Sequence, residues 1–186
     1  MNRQSHYFFA IELPGEIKKS LSNWIATLKD TYTYKSWVHP SDYHITLAFL
    51  GSASQSMLDD AVKILDKKIS QYSPFPLVIT GLGTFGMENS PRILFADVQK
   101  QPLLFEVQKE VWTTCTKIGF KLDTKPFKPH ITLARRCLKS MEVGSLKHVE
   151  GKLPAIDEFH VQSLILYRTN QNTIPIYEPI VKFPLT

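Results

Sequence analysis

His44-Ile45-Thr46-Leu47-Ala48 is the stretch on which the interpretation of this chain depends, because the same five residues return as His130-Ile131-Thr132-Leu133-Ala134, 86 residues later. A shorter string, Phe9-Ala10, recurs at the same distance as Phe95-Ala96. Repeated strings at one spacing indicate a duplicated structural unit. The alternative is that the longer string is a favourable buried strand used twice, but such a strand needs neither histidine nor threonine.

The repeated string alternates like a half-buried strand. Side chains two residues apart project from the same face of a strand, so His44 and Thr46 share one face while Ile45 and Leu47 enter a core. The second copy alternates in the same way. A duplicated strand–helix–strand unit predicts two similar lobes related by an approximate two-fold axis, and such an axis would bring both histidine strands to one cleft.

Hydrophobic periodicity predicts a mixture of strands and helices along the whole chain. The predicted strands span residues 7–13, 44–50, 77–82, 93–98, 130–134, 159–167 and 174–183. The predicted helices span residues 16–28, 54–72 and 102–118, with a shorter one within 138–148. Residues 29–43 are expected to form a polar and aromatic loop. We therefore expect one domain over residues 1–186, with an internal repeat whose approximate halves are 1–88 and 89–186.

The composition is that of an ordered globular domain, with 186 residues of which 43% are hydrophobic and 21% charged. Its 22 Lys and Arg against 17 Asp and Glu give a net charge of +5, which favours polyanionic partners such as nucleic acid without establishing one. Cys115 and Cys137 have no paired spacing and are expected to be reduced thiols. No secretory apolar region and no stretch of roughly 18 apolar residues is found in the sequence. We expect a cytoplasmic monomer without membrane association.

Two imidazoles and two hydroxyls around one small volume match the chemistry of a strained cyclic phosphodiester. One neutral histidine can take a proton from attacking water while a charged one gives a proton to the departing ribose oxygen. The ordinary histidine pKa of about 6.5 makes both protonation states available near neutrality. The hydroxyls of Thr46 and Thr132 can bind the non-bridging phosphate oxygens, where negative charge develops. His44 and His130 are therefore the predicted catalytic residues.

Three further residues near the repeated strings are candidates for binding the substrate. Arg135 follows the second string directly and has the planar group that contacts phosphate through two hydrogen bonds. Its neighbour Arg136 would point the other way if the strand continues. Trp37 lies in the loop before His44, where a nucleobase could stack on it. Lys128 lies just before the second string and could attract RNA, although a solvated loop lysine is an equally good interpretation.

Other chemistries fit the sequence less well. Neither copy has a neighbouring acidic residue or cysteine that would complete a zinc site, so neither a metal nor another cofactor is expected. No Gly-x-Ser-x-Gly string marks a nucleophilic serine, and Cys115 falls on the apolar side of a predicted helix. No helix pattern follows the string Gly81-x-Gly83-x-x-Gly86. The remaining histidines have no motif around them and are interpreted as surface or lightly packed residues: His6, His39, His148 and His160.

Taken together, these strings resemble those of the 2H phosphoesterase superfamily, specifically the bacterial RNA 2′,3′-cyclic phosphodiesterases, also called 2′-5′ RNA ligase-like proteins. The resemblance covers nearly the whole chain and rests on three stretches: FFAIELP at 8–14, HITLAFLG at 44–51 and PFKPHITLAR at 126–135. It implies a bilobal α+β fold, with each lobe an antiparallel sheet flanked by helices and the active site in the groove between them.

The resemblance also implies roles that symmetry alone leaves open. His44 would give a proton to the leaving ribose 3′ oxygen, and His130 would take a proton from water. Thr46 and Thr132 would bind phosphate, and the product would be a 2′-phosphomonoester. The presence of Lys128 and of a doubled arginine, where relatives vary, leaves the preferred base and RNA length open.

The predicted function is thus metal-independent hydrolysis of RNA ends that carry a 2′,3′-cyclic phosphate. The same histidines, run in reverse, could join such ends to 5′-hydroxyl ends through 2′-5′ linkages, or the substrate could be a small cyclic nucleotide. A non-catalytic module that binds RNA ends is the alternative from another class, and it would show salt-sensitive binding without turnover.

Overall fold

The computed structural model describes residues 5–142 and 144–186, and within these ranges the chain forms ten strands and four α-helices. In chain order the elements are β1 (Tyr7–Glu12), α1 (Gly15–Thr31), β2 (Tyr34–Trp37), β3 (His44–Gly51), α2 (Gln55–Ile69), β4 (Phe75–Leu77), β5 (Ile79–Met87), β6 (Ser90–Val98), α3 (Pro102–Ile118), β7 (His130–Cys137), α4 (Ser145–Glu150), β8 (Phe159–Val161), β9 (Ser163–Thr169) and β10 (Tyr177–Pro184). A single 3₁₀ turn, Pro40–Asp42, precedes β3.

Eight of the strands form one antiparallel sheet in the order β10-β9-β1-β3-β7-β6-β5, with β2 also paired to β7. The two remaining strands, β4 and β8, pair with each other. Helices and an antiparallel sheet in this arrangement confirm the predicted α+β class. None of the helices in the described ranges is long and apolar enough to cross a membrane.

The two strands that carry the repeated string lie side by side in the middle of this sheet. They are joined through one antiparallel residue pair, Ile45 with Ile131, which are the same position of the two copies. An approximate two-fold axis therefore passes through this pair. The two sheets expected for the two lobes are consequently continuous with each other across β3 and β7.

The pairing register corrects one part of the predicted repeat. Thr46 pairs with Ala10 in β1, whereas Thr132 pairs with Phe95 in β6. Phe95 therefore occupies the place of Ala10 and not that of Phe9. The recurrence of the Phe-Ala pair 86 residues apart is a coincidence of letters, because β6 is offset by one residue relative to the repeated string.

Both copies contain a β-bulge at the same place. Leu47 has no partner in β1, and Leu133 has none in β6, so the register of each pair shifts there by one residue. A bulge of this kind reverses the alternation of the residues that follow it. Phe49 and Arg135, which are equivalent positions of the two copies, therefore return to the face that carries the histidines, and both are exposed.

The spatial lobes do not coincide with the predicted halves 1–88 and 89–186. The strands β9 and β10 come from the second half of the chain but extend the sheet beside β1, while β2 and β5 come from the first half and join β7 and β6. The edge strands are thus exchanged between the two copies. A cut near residue 88 would separate strands from their partners.

The helices cover one face of the sheet and leave the other face open. The core on the covered face unites the apolar sides of α1, α2 and α3 with Ile45, Leu47 and their counterparts in β7. The opposite face carries a small cluster formed by Phe8, Ala10, Ile165 and Tyr167. The side chains of His44 and His130 project on this second face, because they lie one residue away from Ile45 and Ile131.

Most predicted helices and strands are found, with shifted ends. The predicted loop at 29–43 contains the strand β2, and the predicted strand at 77–82 is divided between β4 and β5. The predicted helix within 138–148 is confined to α4, and residue 143 within it lies outside the described residues, as do residues 1–4 of the N-terminal stretch. Ser54 caps α2, since its side chain accepts a hydrogen bond from the backbone N–H of Met57.

Candidate active site

His44 is held by hydrogen bonds at both ring nitrogens. Its Nδ1 lies 2.7 Å from the carbonyl oxygen of Asp42, and its Nε2 lies 2.9 Å from Oγ1 of Thr46. A carbonyl oxygen can only accept, so Nδ1 carries the hydrogen. In the neutral ring, Nε2 is then the acceptor for the Thr46 hydroxyl, and it is the nitrogen available for proton transfer.

His130 is anchored in the same way. Its Nδ1 lies 2.8 Å from the carbonyl oxygen of Lys128, two residues upstream, as Asp42 is two residues upstream of His44. Nδ1 again carries the hydrogen and Nε2 is left for chemistry. The repeat therefore duplicates the orientation of the imidazole as well as the five letters of the string.

The register between β3 and β7 brings the two copies together. The antiparallel register continues on both sides of the Ile45–Ile131 pair. It therefore places His44 opposite Thr132 and Thr46 opposite His130, on one face of the sheet. Directly opposed residues of an antiparallel pair have Cβ atoms about 4.5–5.5 Å apart. The four residues predicted from the sequence thus share one site. Their catalytic roles remain predictions.

Aromatic rings surround each imidazole. The ring of His44 lies 4.8 Å from that of Phe8 and 5.1 Å from that of Tyr177, measured between centroids. The ring of His130 lies 4.9 Å from Phe85 and 5.2 Å from Phe95. These rings cover part of each imidazole, and both histidines remain half-buried. Aromatic rings thus form much of the surroundings of both imidazoles.

This environment lowers the pKa of both histidines. Burial is the main cause for His44, and with the nearby charges of Arg135, Lys18 and His130 it lowers the pKa of His44 to about 4, despite the opposing effect of its bond to the Asp42 carbonyl. Burial is also the main cause for His130, where Lys128 and Arg135 lower the pKa further. Both imidazoles are therefore neutral in the free protein at neutral pH.

Arg135 reaches the site because of the bulge in β7. Strict alternation counted from His130 would place it on the core side, so the alternation predicted for this strand was wrong. A role of Arg135 in phosphate binding stays a prediction. Its charge acts on the pKa of both histidines and on that of Tyr177. Arg136 is exposed with a left-handed backbone, at a φ of 61°.

The two candidate RNA contacts lie on opposite sides of the histidines. Trp37 is paired beside Ala134 in β7 and lines a cavity of about 820 Å³ that also includes Arg135 and Tyr177 in its wall. Lys128 holds its ammonium group 4.8 Å from the ring centroid of Phe95 and 5.2 Å from that of Phe85, against the aromatic wall of His130.

Asp42 is a residue of the site that the sequence did not reveal. Its side chain is buried, and its two carboxylate oxygens accept hydrogen bonds of 3.0 Å from the backbone N–H groups of Ile176 and Tyr177. Its carbonyl meanwhile holds His44. One residue therefore holds both the imidazole of His44 and the backbone at the start of β10. Its partners lie more than 130 residues away, so no local signal marks it.

No group of three or more His, Cys, Asp or Glu side chains that could hold a metal ion is found within residues 5–142 and 144–186. The acidic residues nearest the histidines in register are Glu12 and Asp97, which pair with His44 and His130 respectively. The carboxylate of Glu12 is bound by Lys182 and Ser163.

Comparison with known proteins places this geometry in a family. The family described as "2′-5′ RNA ligase superfamily" matches residues 17–173, which include both histidine strands and the start of the loop before β10. The chain belongs to this superfamily. The resemblance inferred from the repeated strings is thereby confirmed.

Relatives of this superfamily member are named RNA 2′,3′-cyclic phosphodiesterase. One from Geobacillus stearothermophilus is 38% identical over 98% of the chain, and the chain spans only 58% of the length of that relative. One from Bacillus subtilis (strain 168) is 30% identical, and the match covers 97% of both proteins. Among solved structures, TT0787 of Thermus thermophilus superposes with a TM-score of 0.81 over 97% of each chain, at 26% identity. Escherichia coli LigT complexed with 3′-AMP shares the fold with a TM-score of 0.77 over 99% of each chain, at 23% identity.

Replacement of Asp42 by Asn should lower the free energy of unfolding of this superfamily member. The amide group of Asn presents an NH₂ to a backbone N–H that needs an acceptor. Losing a buried hydrogen bond to a charged group costs about 1–3 kcal/mol of unfolding free energy. Chemical denaturation measures the loss, with the exposed Asp157→Asn variant as the matched control. An Asp42→Asn variant as stable as that control would contradict the anchoring role.

Proposed function

We propose that this protein hydrolyses RNA ends bearing a 2′,3′-cyclic phosphate to 2′-phosphomonoesters, with His44 and His130 as general acid and base. The observation that carries the proposal is the pair of equivalent imidazoles beside each other on one open sheet face, each with Nδ1 bound to a backbone carbonyl. The names of the relatives support the same substrate class.

The position of the cavity supports a direction for the reaction. Because β3 and β7 are antiparallel, the beginning of β3 lies beside the end of β7. Arg135 and Trp37 line the cavity at that end, together with Asp42, which is two residues before His44. A nucleoside in the cavity brings its ribose next to His44. The leaving 3′ oxygen is then protonated at His44, while water is activated at His130, as the resemblance implied.

The chemistry requires His44 to be protonated when the substrate is bound. In the free protein its pKa is lowered to about 4, mainly by burial. A phosphodiester anion in contact with the ring favours the charged form and raises that pKa. His130 stays neutral and accepts the proton of water at Nε2, and the P–O3′ bond breaks as the new P–O bond forms.

In this scheme the hydroxyls of Thr46 and Thr132 and the guanidinium of Arg135 bind the phosphate oxygens. Thr132 lies opposite His44, and Arg135 supplies a positive charge near both histidines. The hydroxyl of Thr46 bonds to Nε2 of His44 in the free protein. When the substrate binds, a phosphate oxygen replaces Nε2 as the partner of this hydroxyl. Donors fixed before the substrate arrives stabilise charge that develops in the transition state.

We further propose that the protein acts as a cytoplasmic monomer without a metal or another cofactor. The free thiols of Cys115 and Cys137 and the net charge of +5 support a reducing compartment and an RNA substrate. Lys128 is proposed to attract the RNA backbone. A small cyclic nucleotide would fit the same cavity, and an assay with mono- and oligonucleotide substrates distinguishes the two.

Replacement of either catalytic histidine by Ala should lower kcat on an RNA ending in a 2′,3′-cyclic phosphate by about 10²–10⁴-fold, the range of general acid–base catalysis. Product analysis by mass and phosphatase sensitivity should show a 2′-phosphate, and EDTA should leave the rate unchanged. Full activity of His44→Ala or of His130→Ala would refute the mechanism. Binding of the RNA end without any turnover would favour the non-catalytic alternative.

Replacement of Arg135 by Gln should shift the pH dependence of kcat/KM upward. Arg135 lowers the pKa of both histidines, so removing its charge raises both and moves both limbs of the bell to higher pH. The wild-type maximum is expected below the ordinary histidine pKa of about 6.5, and kcat/KM should also fall about ten- to hundredfold. Arg136→Gln is the matched control. A maximum that stays in place or moves to lower pH in Arg135→Gln is the contrary result.

Replacement of Trp37 by Leu should raise KM for a nucleoside 2′,3′-cyclic phosphate, because the flat ring that stacks on the base is lost. The expected rise is about five- to hundredfold, the value of one base-stacking contact, with kcat little affected. Trp37→Phe keeps an aromatic face and should lie between Leu and wild type. Equal KM values in all three proteins would exclude Trp37 as a base contact.

A further inference from the structure

Lys29 places a positive charge in the wall of the cavity that contains Trp37. It lies in the last turn of α1, and its ammonium group is 5.7 Å from the ring centroid of Trp37. The side chain is exposed, and within residues 5–142 and 144–186 no carboxylate lies within 4 Å of this ammonium. The cation is therefore held beside an aromatic ring and is available to an anion.

The charges of the cavity wall suit two anions. In the part of the chain that the structure describes, Lys29 and Arg135 are the Lys and Arg side chains of this wall. Its acidic residue, Asp42, has both carboxylate oxygens bound by the backbone N–H groups of Ile176 and Tyr177. Under the proposed function Arg135 binds the cyclic phosphate. Lys29 is then the cation left for a second anion.

The cavity is continuous with the candidate active site. Asp42 and Tyr177 belong to its wall, and both contact His44. The carbonyl oxygen of Asp42 lies 2.7 Å from Nδ1 of His44, and the ring of Tyr177 lies 5.1 Å from the imidazole between centroids. The volume of about 820 Å³ is in the range of sites that enclose a small organic ligand. A nucleoside can thus extend from Trp37 to His44.

The stereochemistry of a ribonucleoside determines where a second phosphate falls. The base and C5′ leave the ribose ring on one face, whereas O2′ and O3′ leave it on the other. When the cyclic phosphate faces His44 and the base lies against Trp37, the 5′ oxygen is therefore on the side of Trp37. In an RNA strand this oxygen carries the preceding phosphate, and in a cyclic mononucleotide it carries only a hydrogen. Lys29 lies on that side, beside the indole ring.

We propose that Lys29 binds the phosphate on the 5′ side of the terminal nucleoside, so that the protein selects RNA ends over nucleoside 2′,3′-cyclic phosphates. The inference rests on the proposed function, from which it takes the orientation of the nucleoside. An ammonium group donates charge-assisted hydrogen bonds to phosphate oxygens. A cyclic mononucleotide leaves this group without an anion, although its cyclic phosphate and base keep all their other contacts.

The test compares two substrates that differ only at the 5′ oxygen. One is adenosine 2′,3′-cyclic phosphate, and the other is the same molecule with a 5′-methyl phosphate, which carries the single negative charge of an RNA linkage. The wild-type protein should prefer the second by about three- to tenfold in kcat/KM. The preference should fall to about one in Lys29→Gln and persist in Lys29→Arg. In the wild type it should also shrink at about 1 M salt.

Lys19→Gln is the matched control, because Lys19 is exposed on the same helix and does not line the cavity. If Lys29 only supported Trp37, Lys29→Gln would lower kcat/KM for both substrates equally. A preference unchanged in Lys29→Gln, or lost equally in Lys19→Gln, overturns the inference. A wild-type protein that cleaves both substrates equally also overturns it, and the proposed function then stands. Cleavage of neither substrate overturns it as well, and an RNA end assayed alongside decides whether the proposed function falls too.

Discussion

The contact between Ile45 and Ile131 is the constraint on which the rest of the site depends. It is the one residue pair through which β3 and β7 are joined, and it fixes which side chains oppose each other across the two strands. A shift of one residue would turn every side chain of one strand to the other face. The helices bury the apolar residues of both strands on one face, so that register is tied to the formation of the core.

The β-bulges in β3 and β7 decide which face of the sheet carries the residue that follows each repeated string. Without them, a strand that buries Ile131 and Leu133 would also bury Arg135, at the cost of an unpaired charge in the core. With the bulges, the residue that follows the repeated string, Phe49 in one copy and Arg135 in the other, lies on the face that carries the histidines. The structure places a guanidinium there in one copy and a phenyl ring in the other. Symmetry of the backbone therefore coexists with different chemistry at the two ends.

The sequence sufficed to predict features that depend on neighbours along the chain. Apolar spacing located α1, α2 and α3, and α3 has the predicted ends at Pro102 and Ile118. Features that depend on distant partners were not predictable. The strand β2 is held by β7, about a hundred residues later, and Asp42 is bound by Ile176 and Tyr177. The exchange of edge strands has the same origin, since no local pattern records which copy a strand will join.

The differences between the two ends bear on the direction proposed for the reaction at a nearly symmetric pair of histidines. The imidazoles have the same tautomer and the same carbonyl anchor, so neither ring is distinguished by its own bonding. Their surroundings do differ. At the His44 end lies a cavity lined by Trp37 and Arg135. At the His130 end lie Lys128 and the rings of Phe85 and Phe95. Under the proposed function, a substrate whose base binds at the first end presents its leaving oxygen to His44, and the proposed direction of proton transfer follows from where the base binds.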